Sequence, residues 1–117
     1  MAMTFLSCAA ASTPQQATPR GTVAGRVTAG PTCPVERAGH PCPPAPVSAE
    51  VRARVAGRVK ASTHTDAAGR YALRLPSGKY TLVAVTKQRY PRCAERTVTV
   101  RAEHVTRAAI TCDTGIR

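Results

Sequence analysis

The fold is decided by residues 65–82, which read TDAAGRYALRLPSGKYTL. Apolar and polar side chains alternate on both sides of a Pro-Ser-Gly segment, and this two-residue period predicts two β-strands. Pro76 and Gly78 suit a tight turn between the strands, because proline presets φ and glycine accepts the left-handed region. In the turn before the first strand, Asp66 is expected to accept backbone N–H groups and Gly69 to supply a positive φ.

The same alternation extends outward from this pair of strands. It predicts further strands at 21–28, 47–55, 58–65, 94–100 and 105–112, in addition to 70–75 and 79–86. The inward residues of 47–55 are expected to be Val47, Ala49, Val51, Ala53 and Val55. Both faces of 79–86 are apolar near its end, which indicates a central strand. Seven short strands with regular turns predict an all-β, antiparallel sandwich.

Three motifs resemble those of carboxypeptidase regulatory-like domains. They are TDxxGxYxL at 65–73, LPxGxYTL at 75–82 and an opening GxVxGxV strand at 21–27. The resemblance covers about residues 21–112. It implies a seven-stranded, Greek-key, prealbumin-like β-sandwich, an architecture shared with Cna B-type repeats and starch-binding-like domains. We therefore expect one domain at 21–117, preceded by a separate segment at 1–20.

The motif residues have structural roles in this interpretation. Two turns would hold four of them, and the rings of the two tyrosines would enter the core from the strands on either side of the Pro-Ser-Gly turn. The residues are Asp66, Gly69, Tyr71, Pro76, Gly78 and Tyr80.

Composition narrows the function classes. The chain has 117 residues and a mass of 12.3 kDa, so one domain is expected. Aromatic residues make up only 3%, with no tryptophan, which argues against a stacking platform for sugars or bases. The formal net charge is +11, yet the arginines fall singly along the chain rather than in runs of like charge. This pattern is typical of a coding bias and predicts weak, nonspecific attraction to polyanions, without a specific nucleic-acid site.

The five cysteines predict two disulfides and one residue outside them. Cys33 and Cys42 bracket a short proline-containing loop that has no regular structure to hold it. If 94–100 and 105–112 form a hairpin that pairs Val100 with Val105, opposed residue numbers sum to 205 and Cys93 faces Cys112. Directly opposed residues have Cβ atoms ~4.5–5.5 Å apart, close to disulfide reach. Two bridges would indicate an oxidising compartment, whereas four reduced thiols would indicate the cytosol.

Cys8 lies in a segment of small and apolar residues followed by Thr, Pro and Gln. This segment resembles the end of a bacterial lipoprotein signal and its tether, although Phe5 and Ser7 replace the usual Leu and the small residue before the cysteine. Cys8 is thus a candidate for lipidation. The alternative is that 1–20 is an ordinary signal remnant or an unpacked tail.

Catalytic and metal constellations are sparse. Cys33, His40 and Cys42 could supply three zinc ligands, but a tetrahedral site needs a fourth. A Ser-His-Asp set would draw on His64 and Asp66 with Ser48, Ser62 or Ser77, although no nucleophile elbow is present. The sequence therefore predicts neither an enzyme nor a cofactor.

Three functions stay open at this point. The first is an exported, non-enzymatic module of the bacterial cell envelope for adhesion, scaffolding or ligand binding, whose partner is an envelope protein or glycan. The second is a carbohydrate-binding module, for which Tyr90 is the obvious surface aromatic. The third is a transthyretin-like hydrolase or carrier, whose His/Arg/Ser cluster and C-terminal motif this chain lacks.

Overall fold

The computed structural model describes residues 19–33, 39 and 42–116. The predictions for Cys8, His40 and the segment 1–18 lie outside these residues. Ten β-strands are assigned in the described part of the chain. They are β1 Arg20–Gly30, β2 Ala45–Pro46, β3 Glu50–Val55, β4 Arg58–His64, β5 Arg70–Pro76, β6 Gly78–Val85, β7 Arg92–Cys93, β8 Arg96–Val100, β9 Val105–Arg107 and β10 Ile110–Asp113.

The strands form two sheets. In the first sheet, the long strand β1 is central: antiparallel β5 and β2 close one of its edges, and parallel β9 and β10 close the other, with β7 beyond β10. The second sheet has the order β4-β3-β6-β8 and is antiparallel throughout. Some neighbouring strands, such as β3 and β4, are consecutive in the chain, whereas others, such as β1 and β9, are far apart in it.

The core lies between the two sheets and follows the alternation of the sequence. The largest fully buried side chains include Leu75, Leu82, Ile110, Val23 and Val51. Among the described residues, no polar or charged residue is buried. No buried side-chain N or O atom there lacks a hydrogen-bond partner. Burial of branched aliphatic side chains, at roughly 1.5–3 kcal/mol each, is thus the main stabilising contribution.

The predicted all-β sandwich is confirmed, with differences in detail. The predicted strand 105–112 is two strands, β9 and β10, interrupted at Ala108 and Ala109. The short strands β2 and β7 were not expected, and β1 makes parallel ladders where only antiparallel ones were predicted. The central position of the 79–86 strand is confirmed, since β6 lies between β3 and β8.

Two local predictions on these strands were wrong. Val55 is 37% exposed, because β3 ends there and the chain turns through Ala56 and Gly57, both with positive φ. The long hairpin between 94–100 and 105–112 does not form either: β8 pairs with β6 and β9 pairs with β1, in opposite sheets. The predicted register nevertheless holds where the two segments meet, since the Ala94 N–H donates to the Thr111 carbonyl at 3.1 Å and Cys93 is paired with Cys112.

The Pro-Ser-Gly turn joins β5 to β6 as expected. Gly78 has a φ of +155°, which is positive but lies outside the left-handed helical region that the sequence predicted. Glycine alone occupies such a region readily. The Tyr80 hydroxyl returns to this turn and donates to the Pro76 carbonyl at 2.6 Å. Gly78 therefore allows the chain to reverse beneath the Tyr80 ring.

We expect Gly78→Val to lower the free energy of unfolding by about 1–2 kcal/mol, because a β-branched residue is strained at this φ. A Cβ there would only touch the Tyr80 ring, with its nearest atom at 3.7 Å, so backbone strain rather than a clash is the cause. Urea unfolding would measure the change. The matched control is Ser77→Val in the same exposed turn, which should change stability by less than ~0.5 kcal/mol. Equal stabilities of the two variants would contradict the assigned backbone.

Candidate functional site

The turn that begins the TDxxGxYxL motif is held by one carboxylate. One oxygen of Asp66, Oδ1, accepts the backbone N–H groups of Ala68 at 2.9 Å and Arg70 at 2.8 Å. The backbone of Asp66 also donates to the Arg70 carbonyl and accepts from Gly69, each at 2.9 Å. This is the turn role that the sequence predicts, and it occupies the carboxylate that a Ser-His-Asp set would need.

The same turn is attached to two neighbouring segments. Gly69, with a φ of +76°, lies so close to β1 that an added Cβ would come within 2.5 Å of the Val27 carbonyl. Its own carbonyl accepts the Val27 N–H at 2.8 Å. On the other side the Thr65 hydroxyl accepts from the Ala49 N–H at 2.9 Å and donates to the Val47 carbonyl at 2.7 Å. The motif therefore attaches to β1 through the backbone of Gly69 and to the segment before β3 through the Thr65 hydroxyl.

Tyr71 is the buried anchor of the motif. Its ring is in the core at 4% exposure. Its hydroxyl donates to the carbonyl of Ala108, which lies between β9 and β10. The Ala108 N–H in turn donates to the Ala24 carbonyl of β1 at 2.9 Å. Burial raises the pKa of Tyr71 to about 12, against a weaker opposing effect of the Arg96 charge. The hydroxyl is a structural donor and stays protonated at neutral pH.

Tyr71 gives a pH prediction. An unfolded tyrosine ionises near pH 10. Since the folded pKa is raised, the contribution of Tyr71 to stability is complete below pH ~10 and is lost as the pH rises towards ~12. Tyr71→Phe should lower the free energy of unfolding at pH 7 by about 1–2 kcal/mol, because the Ala108 carbonyl loses its donor. The variant should also lose less stability than the wild type between pH 9 and 11.5 in urea unfolding.

An exposed tyrosine provides the control for the loss of a hydroxyl. Tyr90→Phe should change the free energy of unfolding at pH 7 by less than ~0.5 kcal/mol, since Tyr90 is 39% exposed. Parallel profiles for the wild type and Tyr71→Phe would show that the Tyr71 hydroxyl is not buried against Ala108.

The structure joins Cys33 to Cys42 and Cys93 to Cys112, as predicted. The first bridge closes the proline-containing loop before β2. The second links β7 to β10, whose paired residues include the two cysteines themselves. Both cysteines that the zinc hypothesis needs are therefore in a disulfide. No cluster of three His, Cys, Asp or Glu side chains suited to a metal lies within the described ranges.

The candidate catalytic residues are only partly brought together. Ser48 and His64 line one cleft, but Ser77 lies in the Pro-Ser-Gly turn and lines a different one. The carboxylate near His64 is Glu50, not Asp66: His64 Nε2 lies 3.9 Å from Glu50 Oε2. The His64 side chain is 78% exposed, and Glu50 also hydrogen-bonds the Arg52 guanidinium. Neither group is held in the way that a general base and its orienting acid require.

The cleft that contains Ser48 and His64 is the principal candidate for binding. Its volume of about 890 Å³ is within the range of small-molecule sites. It opens at one end of the sandwich, between the start of β3, the end of β6 and the loop at 86–91. The sequence did not predict it, because its walls come from segments far apart in the chain. We call it the β3 cleft.

One wall of the β3 cleft is charged and another carries an aromatic ring. The hydrogen bond from Arg52 lowers the pKa of the Glu50 carboxyl, so Glu50 is ionised at neutral pH. Opposite polar groups are supplied by Lys87 and Gln88 of the 86–91 loop, next to Tyr90. The Arg92 guanidinium lies 5.8 Å from the centre of the Tyr90 ring. Gly115 also lies against this ring, since an added Cβ there would be 3.0 Å from the nearest ring atoms. These neighbours reduce the ring surface that is open for stacking.

The sequence profile of the carboxypeptidase regulatory-like domain matches residues 22–113. The chain belongs to this family. In this chain, the residues that carry the family motifs hold the turns and the Tyr71 anchor in place. No curated protein sequence matches the chain significantly. Among the described residues, no helix is long and apolar enough to cross a membrane.

Solved structures of two bacterial proteins share this fold. A minor pilin of the Gram-positive pathogen Streptococcus agalactiae superposes with a TM-score of 0.62 at 14% identity, over 82% of this chain and 45% of the pilin. The TIE protein of Bacillus anthracis gives a TM-score of 0.55 at 11% identity, over 82% of this chain and 17% of that protein. The regulatory-like domain thus spans less than half the length of either relative, and the likeness concerns the fold.

Proposed function

We propose that this regulatory-like domain is a non-enzymatic module exported to the bacterial cell envelope, where it serves in adhesion, scaffolding or ligand binding. The observation that carries the proposal is the pair of disulfides, Cys33–Cys42 and Cys93–Cys112. Disulfides form and persist outside the reducing cytosol. The family match and the pilin fold support the same assignment, because they describe a module without a catalytic role of its own.

The β3 cleft is the surface through which such a module would hold a small ligand or a partner's side chain. Apolar residues such as Pro46, Val47 and Val85 line it, together with the charged residues Glu50 and Arg52. An apolar lining with a few fixed polar groups is the usual composition of a binding site. No hydrogen bond joins Ser48 to His64 as a nucleophile to its base. Binding without turnover is therefore the function that this geometry supports.

Export and oxidation can be tested together. The protein, with a C-terminal epitope tag, would be produced from its own start in a bacterium, and intact cells would be treated with a protease or with a membrane-permeant thiol reagent. We expect the tag to be removed by the protease and all four disulfide cysteines to resist alkylation before reduction. A protease-resistant protein whose cysteines are alkylated inside the cell would overturn the proposal.

We also propose that Cys8 is lipidated. Its place after small and apolar residues, and its absence from both disulfides, support the assignment. Metabolic labelling with an alkyne fatty acid should mark the wild-type protein but not Cys8→Ser. The matched control, Cys33→Ser, should keep the label. A label that survives in Cys8→Ser would place the acyl chain elsewhere.

Carbohydrate binding is the second candidate, and Tyr90 is the observation that favours it. Tyr90 lines the β3 cleft beside Gln88 and Lys87, and one aromatic ring with neighbouring hydrogen-bonding groups can hold a sugar. A glycan array would separate the two candidates. Binding to a defined glycan would favour the carbohydrate-binding module if Tyr90→Ala abolishes that binding while the variant stays folded. An array without such binding would argue against it.

A further inference from the structure

The outer face of β5, β1 and β9 collects arginines that are scattered in the sequence. Alternate residues of these strands point away from the core, as the burial pattern shows. Five of the 14 arginines of the chain occupy outward positions on these three strands. We call this surface the arginine face; its members are Arg20, Arg26, Arg70, Arg74 and Arg107.

The strand register places two of these arginines side by side. Arg26 of β1 is directly opposite Arg70 of β5. Like charges that are directly opposed across two strands are destabilising. The Arg26 Nε–H donates to the Ala68 carbonyl at 3.2 Å, so this side chain is held in place rather than free to move away. The sheet therefore keeps two positive charges together at some cost in stability.

The remaining members surround a floor of small side chains. Arg74 is in register with Thr22, and Arg107 of β9 is in register with Ala24, whose other neighbour is Ala72. The floor at the middle of the face is therefore low, and the long guanidinium side chains stand around it. Three neighbouring strands make a strip about 10 Å wide. From Arg20 to Arg26 the strip is about 20 Å long.

Within the described residues, none of the five arginines of this face forms an ion pair with a carboxylate. The ion pairs of Glu50 with Arg52 and His64 lie on the other sheet. Asp66, the acid nearest in sequence to Arg70, accepts the backbone N–H groups of its own turn and makes no ion pair with the Arg70 guanidinium. The face therefore has an excess of positive charge, and such a surface attracts anions from outside the molecule.

We propose that the arginine face binds a single extended polyphosphodiester chain, such as a glycerol-phosphate polymer of the cell surface. Guanidinium groups bind phosphate through two parallel hydrogen bonds, which ammonium groups cannot do in the same geometry. The Arg26–Arg70 pair would hold one phosphate between two forks, and Arg74 and Arg107 would hold the following ones. Bound phosphate would remove the repulsion between the opposed arginines.

The shape of the face favours one chain without bases over a nucleic acid. Its floor of Thr22, Ala24 and Ala72 has no aromatic side chain on which bases could stack. The flat strip also has no helix or ribbon that could enter a groove of duplex DNA. The choice of a cell-surface polymer rests on the proposed export, whereas binding in solution does not, so the two can fail separately.

Two triple variants with the same loss of charge test the proposal. The face variant is R26Q/R70Q/R74Q, and the control is R54Q/R58Q/R89Q, which removes three arginines that lie outside the face. Binding of a fluorescent glycerol-phosphate oligomer would be followed by anisotropy over a range of salt. We expect the face variant to bind at least about tenfold more weakly than the wild type. The slope of log K against log salt should fall in magnitude by about 2, because three phosphate contacts are lost and each contributes ~0.7 for a single chain.

The control should bind less than about threefold more weakly than the wild type, with a nearly unchanged salt slope. Thermal unfolding supplies an independent measurement: R70Q alone should melt slightly above the wild type without polymer, because it relieves the pair with Arg26. The polymer should raise the melting temperature of the wild type but not of the face variant. Equal weakening of both triple variants, absence of wild-type binding, or tighter binding to a DNA duplex of equal phosphate content would each overturn the proposal.

Discussion

Gly25→Ala should lower the free energy of unfolding by about 3 kcal/mol, at the upper end of what overpacking usually costs. A Cβ at Gly25 would come within 1.9 Å of the Ala108 carbonyl oxygen and 2.6 Å of its carbon. Both atoms are backbone, so no side-chain rotation can relieve the clash. The same carbonyl accepts the Tyr71 hydroxyl, and moving it would break that hydrogen bond as well. Urea unfolding followed by circular dichroism would measure the loss.

Gly30→Ala, on the same strand, is the matched control for Gly25→Ala. An added Cβ at Gly30 meets nothing within 4 Å. We expect its stability to lie within ~0.5 kcal/mol of the wild type, as for most surface substitutions. If Gly25→Ala were as stable as Gly30→Ala, β1 could not lie against Ala108 as described.

The second large effect is expected on removal of the Cys93–Cys112 bridge. The two cysteines are 19 residues apart, and a loop of that length contributes about 3 kcal/mol through the entropy of the unfolded chain. The double variant C93A/C112A should lose about that amount in denaturant unfolding, with a small further loss because Cys112 is buried. Reduction of the wild type opens both bridges and should therefore lower the free energy of unfolding by at least as much.

The comparison variant C33A/C42A opens a bridge over only nine residues and should cost less. Intact-mass analysis with and without reduction, followed by peptide mapping, would establish the pairing. A peptide that joins Cys33 to Cys93 would contradict both the register of β7 with β10 and the stability ranking of the two variants.

Local pattern was sufficient to predict the parts of the fold that depend on neighbouring residues. The alternation around Tyr71 and Tyr80 identified two strands and their inward rings, since side chains on a strand alternate with a strict period of two. The turn roles of Asp66 and Gly69 followed from the special backbone geometry that only a few residue types support. The prediction that Cys93 pairs with Cys112 depended on one assumed strand register. The structure has that register at the two cysteines.

Sheet order was not available from such patterns. Nothing near Val105 in the sequence indicates that β9 lies parallel to β1, because the partner is about 80 residues away. The assumption of a simple hairpin therefore failed at β8 and β9. Sheet order also creates the β3 cleft and the arginine face, whose members look isolated until β5, β1 and β9 are placed side by side. For the same reason Arg26 and Arg70 were interpreted as scattered charges.

The central place of β1 has a consequence for the order in which the chain folds. Its antiparallel neighbours, β2 and β5, follow it within the first two thirds of the domain, but its parallel neighbours, β9 and β10, are the last strands to be made. Until those arrive, one edge of β1 exposes backbone groups that could pair with another molecule. Closing so long a loop is slow, and the incomplete state is the one most exposed to aggregation. The nascent domain therefore needs protection along this edge until its final strands have docked.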